Sequence, residues 1–290
     1  MVDCIIIGSG VAGISAALTL KANGKSFLLF GVKELSPKIV RAEKIRNYPG
    51  FLGENGEAFA SMLQDQLKKE EIEIVCERVS GVYALKEKFA VSTNEGGMYE
   101  SKTVILASGV EQGKQIDGEK EFLGKGVSYC ATCDGFLYKN KKIAIVCLSK
   151  TFEHEVEYLS SIADKTYLFP IYKNVEVTGE RIEKIVKMPT KIVGEKRVTG
   201  LIYPEKGEER RLDVDGVFVL KESLPVDALV SGLETENGHV KINRQCETNL
   251  AGLYATGDIT GRPYQYAKAV GEGNVAAHSV TEYLQKLKTE

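Results

Sequence analysis

The chain has 290 residues, with 38 Lys and Arg against 40 Asp and Glu, a net charge of −2 and 29 glycines, about 10% where ~7% is usual. That length suits one large domain or two modest ones, the ordinary 43% hydrophobic and 27% charged content excludes disorder, and the balanced charge argues against a nucleic-acid partner. Apolar runs such as residues 4–7 fall far short of the ~20 residues of a membrane helix, and no signal peptide is expected, so the chain reads as a soluble cytoplasmic protein.

Asp3-Cys4-Ile5-Ile6-Ile7 reads as a buried parallel strand. Gly8-Ser9-Gly10-Val11-Ala12-Gly13 follows, then a helical stretch to about Asn23, with Ala12, Ala16, Ala17 and Leu20 at helical spacing. Gly24 ends it, and residues 26–30 form the next strand. A GxGxxG between a strand and a helix is a dinucleotide fingerprint. Gly8 permits the tight turn, Gly10 lets backbone approach a pyrophosphate, and Gly13 lets helix and strand pack closely. The helix start offers free N–H groups to the phosphates. The acidic residue usual at the end of the second strand is replaced by Phe30-Gly31, which leaves Glu34 as the candidate for a ribose hydroxyl.

Residues 31–50 carry five basic side chains (Lys33, Lys38, Arg41, Lys44, Arg46) and two acidic ones (Glu34, Glu43), a net +3. Residues 181–197 carry six basic and two acidic, a net +4 that reads as a solvated face.

Of six cysteines, only Cys130 and Cys133 have informative spacing. In Cys130-Ala131-Thr132-Cys133-Asp134-Gly135 the pair can close a disulfide within one helical turn. A helix start lowers a thiol pKa and favours the thiolate that does exchange chemistry. Asp134 places a titratable carboxyl beside the pair. Half of a zinc site is the competing reading, but Cys147 and His154 supply no second ligand pair, so no metal is expected.

Residues 142–146 read as the first strand of a second βαβ unit. Phe152, Val156, Leu159 and Ala163 have helical spacing, and residues 166–169 form the next strand. The loop between them is Cys147-Leu148-Ser149, with no glycine triplet, and Pro170-Ile171-Tyr172-Lys173 follows the second strand. Side chains at 147 and 148 are expected to block approach to a pyrophosphate. His154, His239 and His278 show no catalytic pattern.

Together these segments resemble the low-molecular-weight thioredoxin reductases over nearly the whole chain. The resemblance rests on the first fingerprint, Asn47-Tyr48-Pro49-Gly50-Phe51, the Ala107-Ser108-Gly109 that ends an apolar strand, Cys130 to Gly135, Asp215-Gly216-Val217-Phe218, and Thr248 to Asp258 with its terminal Gly257-Asp258. It implies an α/β fold of two Rossmann-like, three-layer ββα domains. Residues 1–112 and 242–290 would form an FAD domain, and 113–241 a central domain bearing the disulfide. By the same resemblance Gly8, Gly10, Ala12, Gly13, Glu34, Asn47, Ser108, Gly109, Gly257, Asp258, Tyr266 and Ala267 hold FAD. Cys133 faces the flavin, Cys130 is the exposed thiolate that attacks thioredoxin, and Asp134 is the acid–base partner. A homodimer is implied, with a central domain that rotates between flavin and protein substrate.

Two departures from the family matter. The NADPH loop and the His-Arg-Arg cluster for its 2′-phosphate are gone, which removes the bidentate phosphate contact. Arg-Gln-Ala after the second FAD motif becomes Gln265-Tyr266-Ala267, so Tyr266 either stacks on the flavin or serves an interface. The leading expectation is a thioredoxin reductase driven by ferredoxin, an acidic protein that the basic 31–50 stretch would steer. A dithiol oxidase using oxygen, a redox-sensing flavoprotein with little turnover, and a different nucleotide in the central domain remain alternatives.

Overall fold

The structure, a computed structural model, describes residues 1–33, 35, 37–40, 42–52, 55–110, 116–221 and 226–287, with Pro37, Lys38 and Asp227 by backbone only. The chain divides into two compact units, Met1–Glu111 with Pro225–Glu290, and Gln112–Leu224.

The first unit opens with β1 (Val2–Ile7), α1 (Val11–Ala22), β2 (Phe27–Phe30), a short α2 (Pro37–Val40), α3 (Gly56–Lys69) and β3 (Ile74–Val75). β4 (Val79–Ala84) and β5 (Phe89–Thr93) form an antiparallel hairpin that continues into β6 (Met98–Leu106). The sheet order is β3-β2-β1-β6-β5-β4. β1 is parallel to β2 and to the second half of β6. Cys4, Ile5 and Ile6 are fully buried, which explains their unbroken apolar run: a parallel strand covered on both faces has no solvent side to mark with polar residues.

The second unit contains β7 (Val127–Ser128), a single turn α4 (Ala131–Asp134), β8 (Lys142–Cys147), α5 (Glu153–Ile162), β9 (Lys165–Pro170) and β10 (Ile182–Lys184). A small antiparallel sheet follows, of β11 (Lys191–Gly194), β12 (Val198–Glu205) and β13 (Glu208–Asp213), before β14 (Gly216–Leu220) returns to the centre. The parallel sheet runs β10-β9-β8-β14-β7. Both units are thus α/β with parallel sheets, as the two βαβ patterns imply.

The return to the first unit comes earlier than residue 242, the boundary expected from the polar segment there. α6 (Val226–Leu229) and the hairpin of β15 (Thr235–Glu236) and β16 (His239–Val240) belong to the first unit. The reason is a set of long-range bonds: Val230 bridges Val82, and the Asn249 amide bonds Glu234 N and Gly232 O at 2.9 and 2.8 Å. β17 (Leu253–Ala255) then pairs parallel with β6, and α7 (Tyr266–Lys286) packs along α1. Ala12 makes that packing possible from one side and Gly273 from the other, since a Cβ on Gly273 would lie 2.2 Å from Ala12 O. No helix among the described residues is long and apolar enough to cross a membrane.

Candidate functional site

The turn after β1 has the geometry its three glycines suggest. Gly8 has φ +120°, and a Cβ there would lie 2.3 Å from Ala107 O; one on Gly13 would lie 1.8 Å from Gly8 O. These two glycines serve packing. Gly10 differs: a Cβ on it would meet no protein atom within 4 Å, so its backbone faces open space. It is the N-cap of α1, with no side-chain cap and no acidic residue in the first turn. An uncapped helix start beside open space is a cradle for an anion.

The missing acidic residue after β2 has a steric explanation. Ser9 Oγ donates to Val32 O at 3.0 Å and accepts from Val32 N at 2.9 Å. This brings Ser9 so close that a Cβ on Gly31 would lie 2.2 Å from its hydroxyl. No side chain fits at 31. Glu34, the substitute, lies outside the described residues, as do the Lys38 and Arg41 side chains; Lys33, Lys44 and Arg46 are exposed.

Gly257 and Asp258 come back to this turn. Gly257 has φ +82°, and a Cβ on it would stand 3.0 Å from the Ala12 Cβ. Asp258 is half-buried in the 3-10 turn 257–260. Sequence reasoning missed what holds that turn. Lys268 Nζ donates to Gly257 O, Gly261 O and Thr260 Oγ1 at 2.8–2.9 Å. Glu272, one helical turn further along α7, accepts from Gly257 N at 2.8 Å and Thr260 Oγ1 at 2.9 Å, and pairs with Lys268 at 3.2 Å. The available signal was an i,i+4 Lys–Glu pair among the small and apolar residues 266–273 that open the helix. Thr256 Oγ1 is buried at the same strand end with no partner among the described residues.

Ser108 and Gly109 follow β6, half-buried, Gly109 at φ +72°. Asn47 is exposed and donates to Gln265 Oε1 at 2.6 Å, which joins it to the start of α7 where Tyr266 and Ala267 lie. Ala267 is exposed. Tyr266 packs on Phe59, ring centres 5.5 Å apart, in a cluster with Tyr48 and Phe51. Burial first, and then the Asp258 carboxylate, push its phenol above the ordinary value.

In the second unit Cys130 and Cys133 form a disulfide with Cα atoms 5.3 Å apart. Cys130 is the N-cap of α4, and its Sγ accepts the Cys133 N–H at 3.2 Å. Cys130 N bonds Ser128 Oγ at 3.1 Å. Exposure runs against the expectation: Cys130 is buried, at 8%, and Cys133 is exposed. A cap residue is tied back to strand β7, whereas Cys133 sits on the outer side of the turn. Asp134 is half-buried beside them.

The turn after β8 is built differently from the one after β1. Cys147 does not obstruct it, because its side chain is fully buried in the core and its thiol is pushed up to about 11 by that burial. Leu148, the other side chain expected to block approach, is half-buried. Ser149 Oγ caps the following 3-10 turn, accepting from Thr151 N at 3.4 Å and Thr151 Oγ1 at 2.9 Å, and Phe152 is buried behind it. Glu153 and Glu155 lie in the first turn of α5. Glu153 Oε1 accepts both the Tyr172 hydroxyl and Glu176 N at 2.9 Å. Burial raises its pKa, but the Glu176 N–H and the Tyr172 phenol prevail and hold it below the usual carboxylate value. A helix start carrying two carboxylates repels phosphate, and Tyr172, where the family has its arginine cluster, is turned inward to Glu153.

Among the described residues no group of three His, Cys, Asp or Glu could hold a metal ion. His239 Nε2 lies 2.7 Å from Tyr264 Oη and takes no part in these sites.

A family model described as pyridine nucleotide-disulphide oxidoreductase matches residues 2–148 and 175–273. The interruption, 149–174, spans Ser149, Glu153 and Tyr172. A thioredoxin reductase of Aquifex aeolicus is 32% identical over 99% of this chain and 94% of its own. Among solved structures, a ferredoxin-flavin thioredoxin reductase from Clostridium acetobutylicum matches 100% of this chain and 99% of its own, with 45% identity and a TM-score of 0.90. A thioredoxin reductase from Gloeobacter violaceus covers 98% of this chain and 94% of its own at 26% identity, with a TM-score of 0.79.

Proposed function

The chain belongs to the pyridine nucleotide-disulphide oxidoreductase family, and from that premise we propose that it reduces thioredoxin through Cys130 and Cys133 with electrons supplied by ferredoxin rather than NADPH. It is an FAD-dependent disulfide oxidoreductase of the thioredoxin reductase type. The observation that carries the choice of donor is the pairing of an intact redox disulfide with a second nucleotide turn filled by Ser149, Glu153 and Tyr172. The 45% identity to the ferredoxin-flavin enzyme, against 32% to the Aquifex aeolicus thioredoxin reductase, supports it.

The residues of the first unit fit FAD. The open space at Gly10 suits a pyrophosphate, the uncapped start of α1 suits its charge, and the orphan hydroxyl of Thr256 marks an unfilled polar position at the neighbouring strand end. In this reading Gly8, Gly10, Ala12, Gly13, Ser108, Gly109, Gly257 and Asp258 hold the cofactor, with Asn47, Tyr266 and Ala267 toward its ring end and Glu34 at a ribose hydroxyl. Bound FAD supplies the conversion between single-electron delivery and the electron pair that a disulfide needs.

The chain's own residues do the rest. Two electrons entering the disulfide break the Cys130–Cys133 bond. Cys133 takes the electrons, and Cys130 leaves as a thiolate because the Cys133 N–H already points at its sulfur. Asp134 provides or takes the proton. Cys130 is buried, so it must be uncovered before it attacks a thioredoxin disulfide, forming a mixed disulfide and releasing one thioredoxin thiolate. Cys133 then attacks Cys130, restores the internal disulfide and frees the second thioredoxin thiol.

The exposed Lys33, Lys44 and Arg46 are the described part of a basic stretch suited to an acidic carrier. The same family reading makes the protein a cytoplasmic homodimer, which sedimentation of the holoenzyme tests for assembly. Anaerobic turnover with reduced ferredoxin, NADPH or NADH tests the donor. Thioredoxin reduction with ferredoxin alone is expected; comparable NADPH-driven turnover overturns the reading. Peroxide formed from small dithiols in air would instead favour the dithiol oxidase.

A further inference from the structure

At the carboxyl edge of the central sheet two opposite charges are buried together. Lys221, which follows β14, is 4% exposed, and Glu119, in the loop before β7, is 2% exposed; the two form an ion pair. Tyr129 connects them to the disulfide. It follows β7, directly precedes Cys130, and donates its hydroxyl to Glu119 Oε1 at 2.7 Å. Lys221 Nζ lies 4.7 Å from the centre of the Tyr129 ring. The other Glu119 oxygen accepts Ile116 N at 3.0 Å. The positions that match Lys221 after β8 and β9 are Leu148 and Ile171, both apolar, so the edge has no general need for an ion pair. Burying one costs desolvation and often adds little stability over apolar residues.

We propose that Glu119 and Lys221 are positioning residues for the redox disulfide, whose balance of charge sets how readily Cys130–Cys133 accepts electrons. The proposal rests on the reading of that disulfide as the redox centre. Reduction puts negative charge on the Cys130 sulfur inside the protein, where an uncompensated neighbour acts strongly. With both partners present their effects largely cancel. Without Lys221, Glu119 remains as an anion held by two hydrogen-bond donors and opposes reduction. Without Glu119, Lys221 remains as a cation and favours it. Asp134 in α4, and Glu155 in α5 packed against it, are common to every variant and drop out of the comparison.

The test equilibrates holoenzyme anaerobically, at one pH, with mixtures of reduced and oxidised dithiothreitol. Each exchange opens the Cys130–Cys133 bond and closes the dithiothreitol ring: two electrons pass to the protein, one dithiothreitol proton goes to Cys133, and the other goes to the buffer while Cys130 stays a thiolate. Acid quenching, alkylation and mass spectrometry of the peptide spanning 130–133 give the equilibrium constant. Lys221→Met is expected to shift it about tenfold toward the disulfide, equivalent to about 30 mV for a two-electron couple. Glu119→Gln is expected to shift it by a similar factor toward the dithiol. The double variant, and Lys221→Arg, should return within about threefold of the parent. Tyr129→Phe keeps the ion pair and removes one donor to Glu119, so a shift of about threefold toward the disulfide is expected even if a single charge variant fails to fold. Single variants that shift in the same direction, or a constant unmoved in every folded variant including Tyr129→Phe while melting temperatures fall, would overturn the proposal. The readout uses neither ferredoxin nor thioredoxin, so it stays legible whatever becomes of the donor assignment.

Discussion

The turns after β1 and after β8 occupy the same place in two βαβ units, yet one is open and the other is filled. After β1, two glycines close the backbone so tightly that a third, Gly10, looks onto empty space at an uncapped helix start. After β8, Ser149 caps the turn and Glu153 is bound by Tyr172. The two turns therefore differ in their local groups without any change of fold. Ser149 Oγ takes the Thr151 N–H at the helix start, and the Glu153 carboxylate is held there by Tyr172 and Glu176 N.

The sharpest way to break the comparison is at the disulfide, which the open site is proposed to serve. Cys133→Ser should lower thioredoxin reduction by more than about a thousandfold while FAD stays bound, read by turnover and by the flavin content of the purified protein. Retained turnover would remove Cys133 from its role. Next in size is a pair of glycine substitutions within the open turn. Gly13→Ala should destabilise the first unit by about 1–3 kcal/mol, because its Cβ meets Gly8 O, and denaturant unfolding reads this. Gly10→Ala should leave unfolding of the FAD-free protein unchanged and weaken FAD binding about tenfold or more, measured by fluorescence titration. Equal effects of the two on unfolding would mean that the space beside Gly10 has no such use.

Smaller effects sit in the supporting groups. Lys268→Met strips three carbonyl and hydroxyl bonds from the turn bearing Asp258, and a loss of about 1–2 kcal/mol in FAD binding is expected. The filled turn carries a pH signature. Glu153 is held below its ordinary value of 4.5, so its contribution to stability is complete above that value and fades as pH falls through the lower folded value. Thermal unfolding between pH 3 and 6, about the range concerned, should show this slope in the parent and a weaker one in Glu153→Gln.

Much of this was legible in the sequence because glycine and CxxC patterns answer local backbone demands. Gly8 and Gly13 stand where no side chain fits, and four residues suffice to place two sulfurs in one turn. What escaped depends on distant partners. The bond between Glu153 and Tyr172 spans 19 positions, and that between Asn249 and Gly232, which assigns 225–241 to the first unit, spans 17. Neither leaves a periodic trace. Cys147 was expected to obstruct the second turn, yet strand register turns it into the core. The burial of Cys130 likewise follows from its tie to Ser128, a bond invisible in the spacing of the two cysteines.

The open-versus-filled contrast is tested most directly by an anaerobic titration of the oxidised holoenzyme, monitored by flavin absorbance and, in parallel, by calorimetry of nucleotide binding. Reduced ferredoxin should bleach the flavin, whereas NADPH should neither bleach it nor give a saturable binding heat. Saturable NADPH binding accompanied by rapid flavin bleaching would contradict the account.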